Sequence, residues 1–167
     1  KRVSLDEPGS GTLVDARIIL QAYELEERDL DAEYLTGQEA ARKLTEGELD
    51  AFFFVGGFPA EGIERLAATH PVRLIPMDDE QVEEVLTENR FFSENIIPAG
   101  TYQGQDQDVK TLSVGALWIT SESQPDDLIY EITKALWNPA SRKLLDEGHQ
   151  KGTLIREPTA LNNVAIP

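Results

Sequence analysis

Arg2-Val3-Ser4-Leu5-Asp6-Glu7-Pro8-Gly9-Ser10-Gly11-Thr12 reads as a strand that stops at a glycine turn and runs into a helix. Residues 2–6 have the character of a core strand. Beyond the turn, Leu13, Ala16, Leu20 and Tyr23 share one helical face, widened by Ile18 and Ile19, which predicts a helix over 12–23.

Outward from this unit the same rhythm repeats. A short strand is predicted at 33–35. Thr36 and Glu39 then have capping-box spacing, and Gly47 suits the left-handed position that ends a helix. Ala51-Phe52-Phe53-Phe54-Val55 is an uninterrupted apolar run, the pattern of a strand buried on both faces. Gly56-Gly57-Phe58-Pro59 turns into a helix reaching His70, with Pro59 suited to its first turn. A fourth strand is expected over 72–75 and a charged helix over 78–89. This alternation predicts an α/β fold with a mostly parallel sheet flanked by helices. In such sheets ligands gather at the carboxyl ends of the strands, where the turns 8–12 and 56–59 lie.

After Phe91 the character changes. Residues 96–102 lead into a polar loop, followed by a predicted strand over 112–120 and a helix over 125–137 that buries Leu128, Ile132, Ala135 and Leu136. Phe91, Phe92 and Trp118 read as core. A lobe boundary is placed near 96–105.

Composition narrows the function. A formal charge of −16 excludes a broad basic face for nucleic acid or an anionic membrane. The chain has no cysteine, which removes thiolate chemistry and cysteine metal sites. His70 and His149 are too far apart in sequence to suggest zinc, and His70 suits a helix end. Asp78-Asp79-Glu80 opens a helix rather than a calcium loop, and Asp50 is taken as structural. No Ser-His-Asp or Cys-His set assembles, so no enzyme activity, cofactor or metal is expected.

The chemistry concentrates at Gly9, Ser10, Gly11 and Thr12. The first amides of a helix lack internal partners and carry about half a positive charge. Glycines let an oxyanion approach the backbone, and two hydroxyls add donors. The same residues also close a helix end as an ordinary N-cap, and spacing alone favours that simpler role. Neither the dinucleotide nor the Walker pattern is completed: Val14 stands where the first needs glycine, and Ile63 follows Gly57…Gly62.

Residues 2–12 resemble the signature of TAXI-family solute receptors of TRAP transporters. The resemblance continues through Leu44–Pro59, Ile97–Asp106 and Ser113–Leu117, and fades after about Trp137. Gln103 departs from it, standing where the family often has proline. The resemblance implies a type II periplasmic binding protein whose two α/β lobes close on glutamate, glutamine or another small carboxylate. Residues 1–98 would form lobe 2, and residues 99–167 the hinge and the segment returning toward lobe 1. The usual amino-terminal part and the export signal are expected upstream of Lys1. It places ligand contacts on Gly9, Ser10, Gly11, Thr12, Gly56, Gly57 and Pro59, with Tyr102 near the hinge facing the cleft or the core. Membrane subunits of a TRAP transporter would be partners, nucleic acid would not, and the protein would be periplasmic. The apolar surface left by a missing part of lobe 1 predicts self-association. An anion-binding enzyme on the same bilobal fold and a sensory module of a receptor are the alternatives.

Overall fold

The computed structural model describes residues 1–160. Its first part is built on a three-stranded sheet of β1 (Arg2–Ser4), β2 (Asp31–Glu33) and β3 (Ala51–Phe52), in the order β2-β1-β3. Both pairings are parallel, with Val3 opposite Ala32 on one side and Ala51 on the other. Helix α1 (Gly11–Ala22) follows β1, α2 (Gly37–Thr45) follows β2 and α3 (Glu61–Thr69) follows β3. Helix α4 (Glu80–Glu88) packs against α1, and α2 packs against α3. Parallel neighbours need such crossovers because a tight turn cannot reverse the chain twice.

The core forms where the predicted stripe of α1 meets the central strand. Val3, Leu5, Leu13, Ala16 and Leu20 are buried together, flanked by Leu30, Ala32, Ala51 and Phe53. Leu5 is fully buried. Burying a leucine of this kind stabilises a fold by about 1.5–3 kcal/mol. The α2 capping box forms as expected: Thr36 Oγ1 accepts from Glu39 N at 3.3 Å, and Glu39 Oε2 accepts from Thr36 N at 3.3 Å. Gly47 closes that helix at φ +71°, a conformation costly for residues with a side chain. His70 is the C-cap of α3.

Several expectations are corrected. Residues 72–75 form no strand, so among the described residues β3 pairs only with β1. Without a strand beyond it, the Phe-rich run cannot be buried on both faces. Phe52 and Phe53 are half-buried, and Phe54 and Val55 are exposed. Pro59 lies before α3, whose N-cap is Ala60.

A second, two-stranded sheet pairs β4 (Phe92–Ile97) with β5 (Val109–Val114). The chain divides into two compact units, Lys1–Ser113 and a second beginning at Val114. The turn at 98–99 lies within the first. The segment expected to run from 99 to 167 includes residues 161–167, which lie outside the described residues.

In the second unit, α5 (Asp126–Leu136) packs on α6 (Pro139–Gly148). Gly152 approaches α6 so closely that an added Cβ would lie 1.8 Å from the Leu145 carbonyl oxygen. Arg156 donates to Asp146 Oδ1 at 2.6 Å and to the Gly152 carbonyl at 3.1 Å. The burial expected for α5 is absent. Leu128 and Ala135 are exposed, and Ile132 and Leu136 are half-buried. Strand β5 stops at Val114, so residues 115–120 have no sheet to enter. Trp118 is 72% exposed and Ile119 82%, and Phe91 is exposed beside buried Phe92.

Asp50 is structural, as expected. Arg2 clamps it at the amino-terminal edge of the sheet, through Nη2 to Oδ1 at 2.7 Å and its own amide to Oδ2 at 2.9 Å. These bonds hold the Asp50 carboxyl well below the usual carboxylate range. A depressed folded-state pKa contributes stability above the unfolded value, about pH 4, and loses it as pH falls toward the folded one. Asp50→Asn should therefore be less stable than wild type at neutral pH in urea unfolding. The gap should narrow below about pH 4; a gap independent of pH would rule this clamp out.

Candidate functional site

Parallel pairing sends the carboxyl ends of β1, β2 and β3 to one edge of the sheet. Three loops gather there: 5–10, 34–36 and 53–60. The chain leaves β1 toward β2 and then crosses to β3 on the other side of β1. The strand order therefore reverses between β1 and β3, which makes their carboxyl ends a topological switch point, the usual ligand position in open α/β sheets. The two turns singled out in the sequence, 8–12 and 56–59, belong to the loops flanking that point.

Ser4 locks this edge together and was not anticipated. It is buried on the central strand. Its Oγ accepts from Leu35 N at 3.3 Å and Asp6 N at 3.4 Å, tying the β1 turn to the β2–α2 loop. Its main-chain carbonyl accepts from Phe53 N at 2.9 Å, reaching the third loop. A small hydroxyl in an apolar strand was the only sequence signal.

The first turn is tight. Ser10 N donates to the Glu7 carbonyl at 3.1 Å, and Gly9 adopts φ +90°. Asp6 adopts φ +74° with its carboxylate accepting from Glu7 N at 2.9 Å. A left-handed non-glycine residue costs energy, and such strain concentrates at functional sites. Ser10 is the N-cap of α1, its Oγ accepting from Leu13 N at 3.1 Å. The simpler role read from the sequence is thus realised in full by Ser10.

It leaves two amides over. Gly11 N and Thr12 N have no hydrogen-bond partner among the described residues. Gly9 and Gly11 are exposed, and a Cβ built on either would meet nothing within 4 Å. Thr12 is only 8% exposed, and its hydroxyl has no partner among the described residues. That oxygen is nevertheless not sealed from solvent. The first turn of α1 contains no acidic residue, whereas α2 to α5 each carry at least one in theirs. The positive end of α1 is therefore uncompensated from within its own first turn.

The second loop is shaped by its own aromatic. A Cβ at Gly56 would lie 2.8 Å from the Phe54 ring, and one at Gly37 3.6 Å from it. Phe54 thus spans from the β3 loop to the start of α2, with Gly56 accommodating the ring. Gly57 is exposed and Pro59 half-buried, after a cis Phe58–Pro59 peptide. Tyr102 is in the interior: it is 7% exposed, and its hydroxyl accepts from Ala60 N at 3.0 Å. Burial is the main cause that raises its pKa.

Two surface hollows lie elsewhere. One, of 390 Å³, is between Tyr23 at the end of α1 and Glu80 and Glu84 of α4. The other, of 470 Å³, runs along Arg17, Leu20 and Arg28. Tyr23 donates to Asp79 Oδ2 at 2.6 Å beside the first, and burial together with that carboxylate pushes its hydroxyl up to about 12. Neither hollow includes a residue of the Ser10–Thr12 turn.

No helix among the described residues is long and apolar enough to cross a membrane. A sequence model of the NMT1-like family matches residues 1–167. Its members have a periplasmic-binding-protein-like fold and are typically extracytoplasmic. The parallel sheet flanked by helices agrees with that fold, and the chain belongs to the NMT1-like family of solute-binding proteins.

Proposed function

We propose that the protein is a receptor of the TAXI type that captures a small carboxylate, such as glutamate, glutamine or a dicarboxylate, and presents it to the membrane subunits of a TRAP-type transporter. The observation that carries this reading is the pair of unpartnered amides at Gly11 and Thr12, on a helix end without a carboxylate of its own, beside the switch point of the sheet. A carboxylate there accepts from both amides and from the Thr12 hydroxyl. Charge-assisted bonds of this kind are roughly twice as strong as neutral ones. Gly9 leaves the approach open, and Ser10 holds the helix end rigid.

Across the switch point, Gly56, Gly57 and Pro59 border the ligand with backbone and small side chains, while Tyr102 stands behind them. Residues 1–98 then serve as one lobe, and the chain from 99 to 167 supplies the hinge and the return toward the other. An opposing lobe completes the cleft, and a ligand that touches both lobes only when they are closed favours closure. Such capture needs no catalytic group.

Calorimetry of the full-length protein against L-glutamate, L-glutamine and succinate tests this reading. At least one should bind saturably. Thr12→Val keeps the side-chain shape and removes the hydroxyl, and should weaken that ligand by about ten- to a hundredfold. Ser10→Ala should lower stability by about 1 kcal/mol through the lost cap and weaken the same ligand. Undiminished affinity in both variants would refute the site.

A further inference from the structure

The loop joining β4 to β5 is braced from within by one side chain. Gln105 Nε2 donates to the carbonyls of Ile97 at 3.0 Å, Pro98 at 3.1 Å and Gln107 at 3.0 Å, while its Oε1 accepts from Tyr102 N at 3.3 Å. Main-chain bonds reinforce it: Gly100 N donates to the Gln105 carbonyl at 2.7 Å, and Gln105 N to the Tyr102 carbonyl at 3.1 Å. Asp108 Oδ1 closes the base by accepting from Ala99 N at 2.8 Å. A loop with this density of internal bonds is a rigid part rather than a tether.

Its buried tyrosine reaches a different element. The Tyr102 hydroxyl accepts from Ala60 N, at the residue that starts α3 and directly follows the Gly56–Pro59 turn. Ala60 has no hydroxyl or carboxylate with which to cap the helix, and α3 has no side-chain cap among the described residues. We propose that Tyr102, held by Gln105, is a positioning residue that fixes the Gly56–Pro59 turn. For ligand binding this rests on the reading of that turn as one wall of the carboxylate site. The brace sets where the wall stands. Its expected removal cost is that of one hydrogen bond whose remaining donor stays half-buried.

Amide hydrogen exchange on the full chain tests the brace without any ligand. In Tyr102→Phe the ring keeps its place and the hydroxyl is lost. Exchange at Ala60, whose amide loses its acceptor, should accelerate about tenfold, while Val3–Leu5 stay protected as in wild type. Gln105→Ala, which leaves Tyr102 intact, should produce the same local acceleration and decides the matter if Tyr102→Phe does not fold. No acceleration in these variants would overturn the proposal. In a wild-type protein that binds L-glutamate, Tyr102→Phe should also weaken it about three- to tenfold. Faster exchange with undiminished L-glutamate affinity would overturn the role in binding. Failure of the wild type itself to bind L-glutamate would count against glutamate as the ligand, and the exchange result would still decide the brace.

Discussion

Everything at the candidate site depends on the parallel pairing of β1 with both its neighbours. Parallel strands end on the same edge, so the helix after each strand begins on that edge. The Val3–Ala32 and Val3–Ala51 registers therefore bring the starts of α1, α2 and α3 together at one rim. Ser4 strengthens the arrangement, because one buried hydroxyl and one carbonyl reach all three loops. Reversing either neighbour would send its following helix to the opposite edge.

The three helix ends at that rim are not equivalent. In α2 the Glu39 carboxylate folds back onto Thr36 and occupies the helix end. In α3, Glu61 and Glu64 lie in the first turn, and Tyr102 engages the starting residue. In α1, Ser10 satisfies Leu13, and the Gly11 and Thr12 amides have no partner among the described residues. A net charge of −16 does not prevent this. Distant exposed charges are screened over a Debye length of about 8 Å, whereas amides in contact act at hydrogen-bond distance. A chain this rich in acids that keeps them out of the first turn of α1 preserves a local positive end within a negative field.

The sequence was legible where local signals and packing agree. The α1 stripe, the Thr36–Glu39 capping box and the Gly47 stop each have a mechanism confined to a few residues, and each appears in place. The failures share one cause. A run such as Ala51–Val55 reports that a segment is apolar, but double burial requires a neighbouring strand that the run does not itself specify. Residues 72–75 do not supply it, so Phe54 remains exposed and takes up the space at Gly56. Residues 115–120 behave likewise, with Trp118 in the open. Ser4 and Gln105 were missed for the opposite reason. Their importance lies in partners distant in sequence or in a loop geometry that no periodicity announces.

The central claim is that the spare amides of Gly11 and Thr12 receive a carboxylate. Backbone amide chemical shifts report on that contact directly. On titrating the ¹⁵N-labelled full-length protein with L-glutamate, L-glutamine and succinate in turn, the account predicts saturable downfield movement of the Gly11 and Thr12 amide protons with at least one of them. Saturable binding that moves other resonances while those two stay still would contradict it.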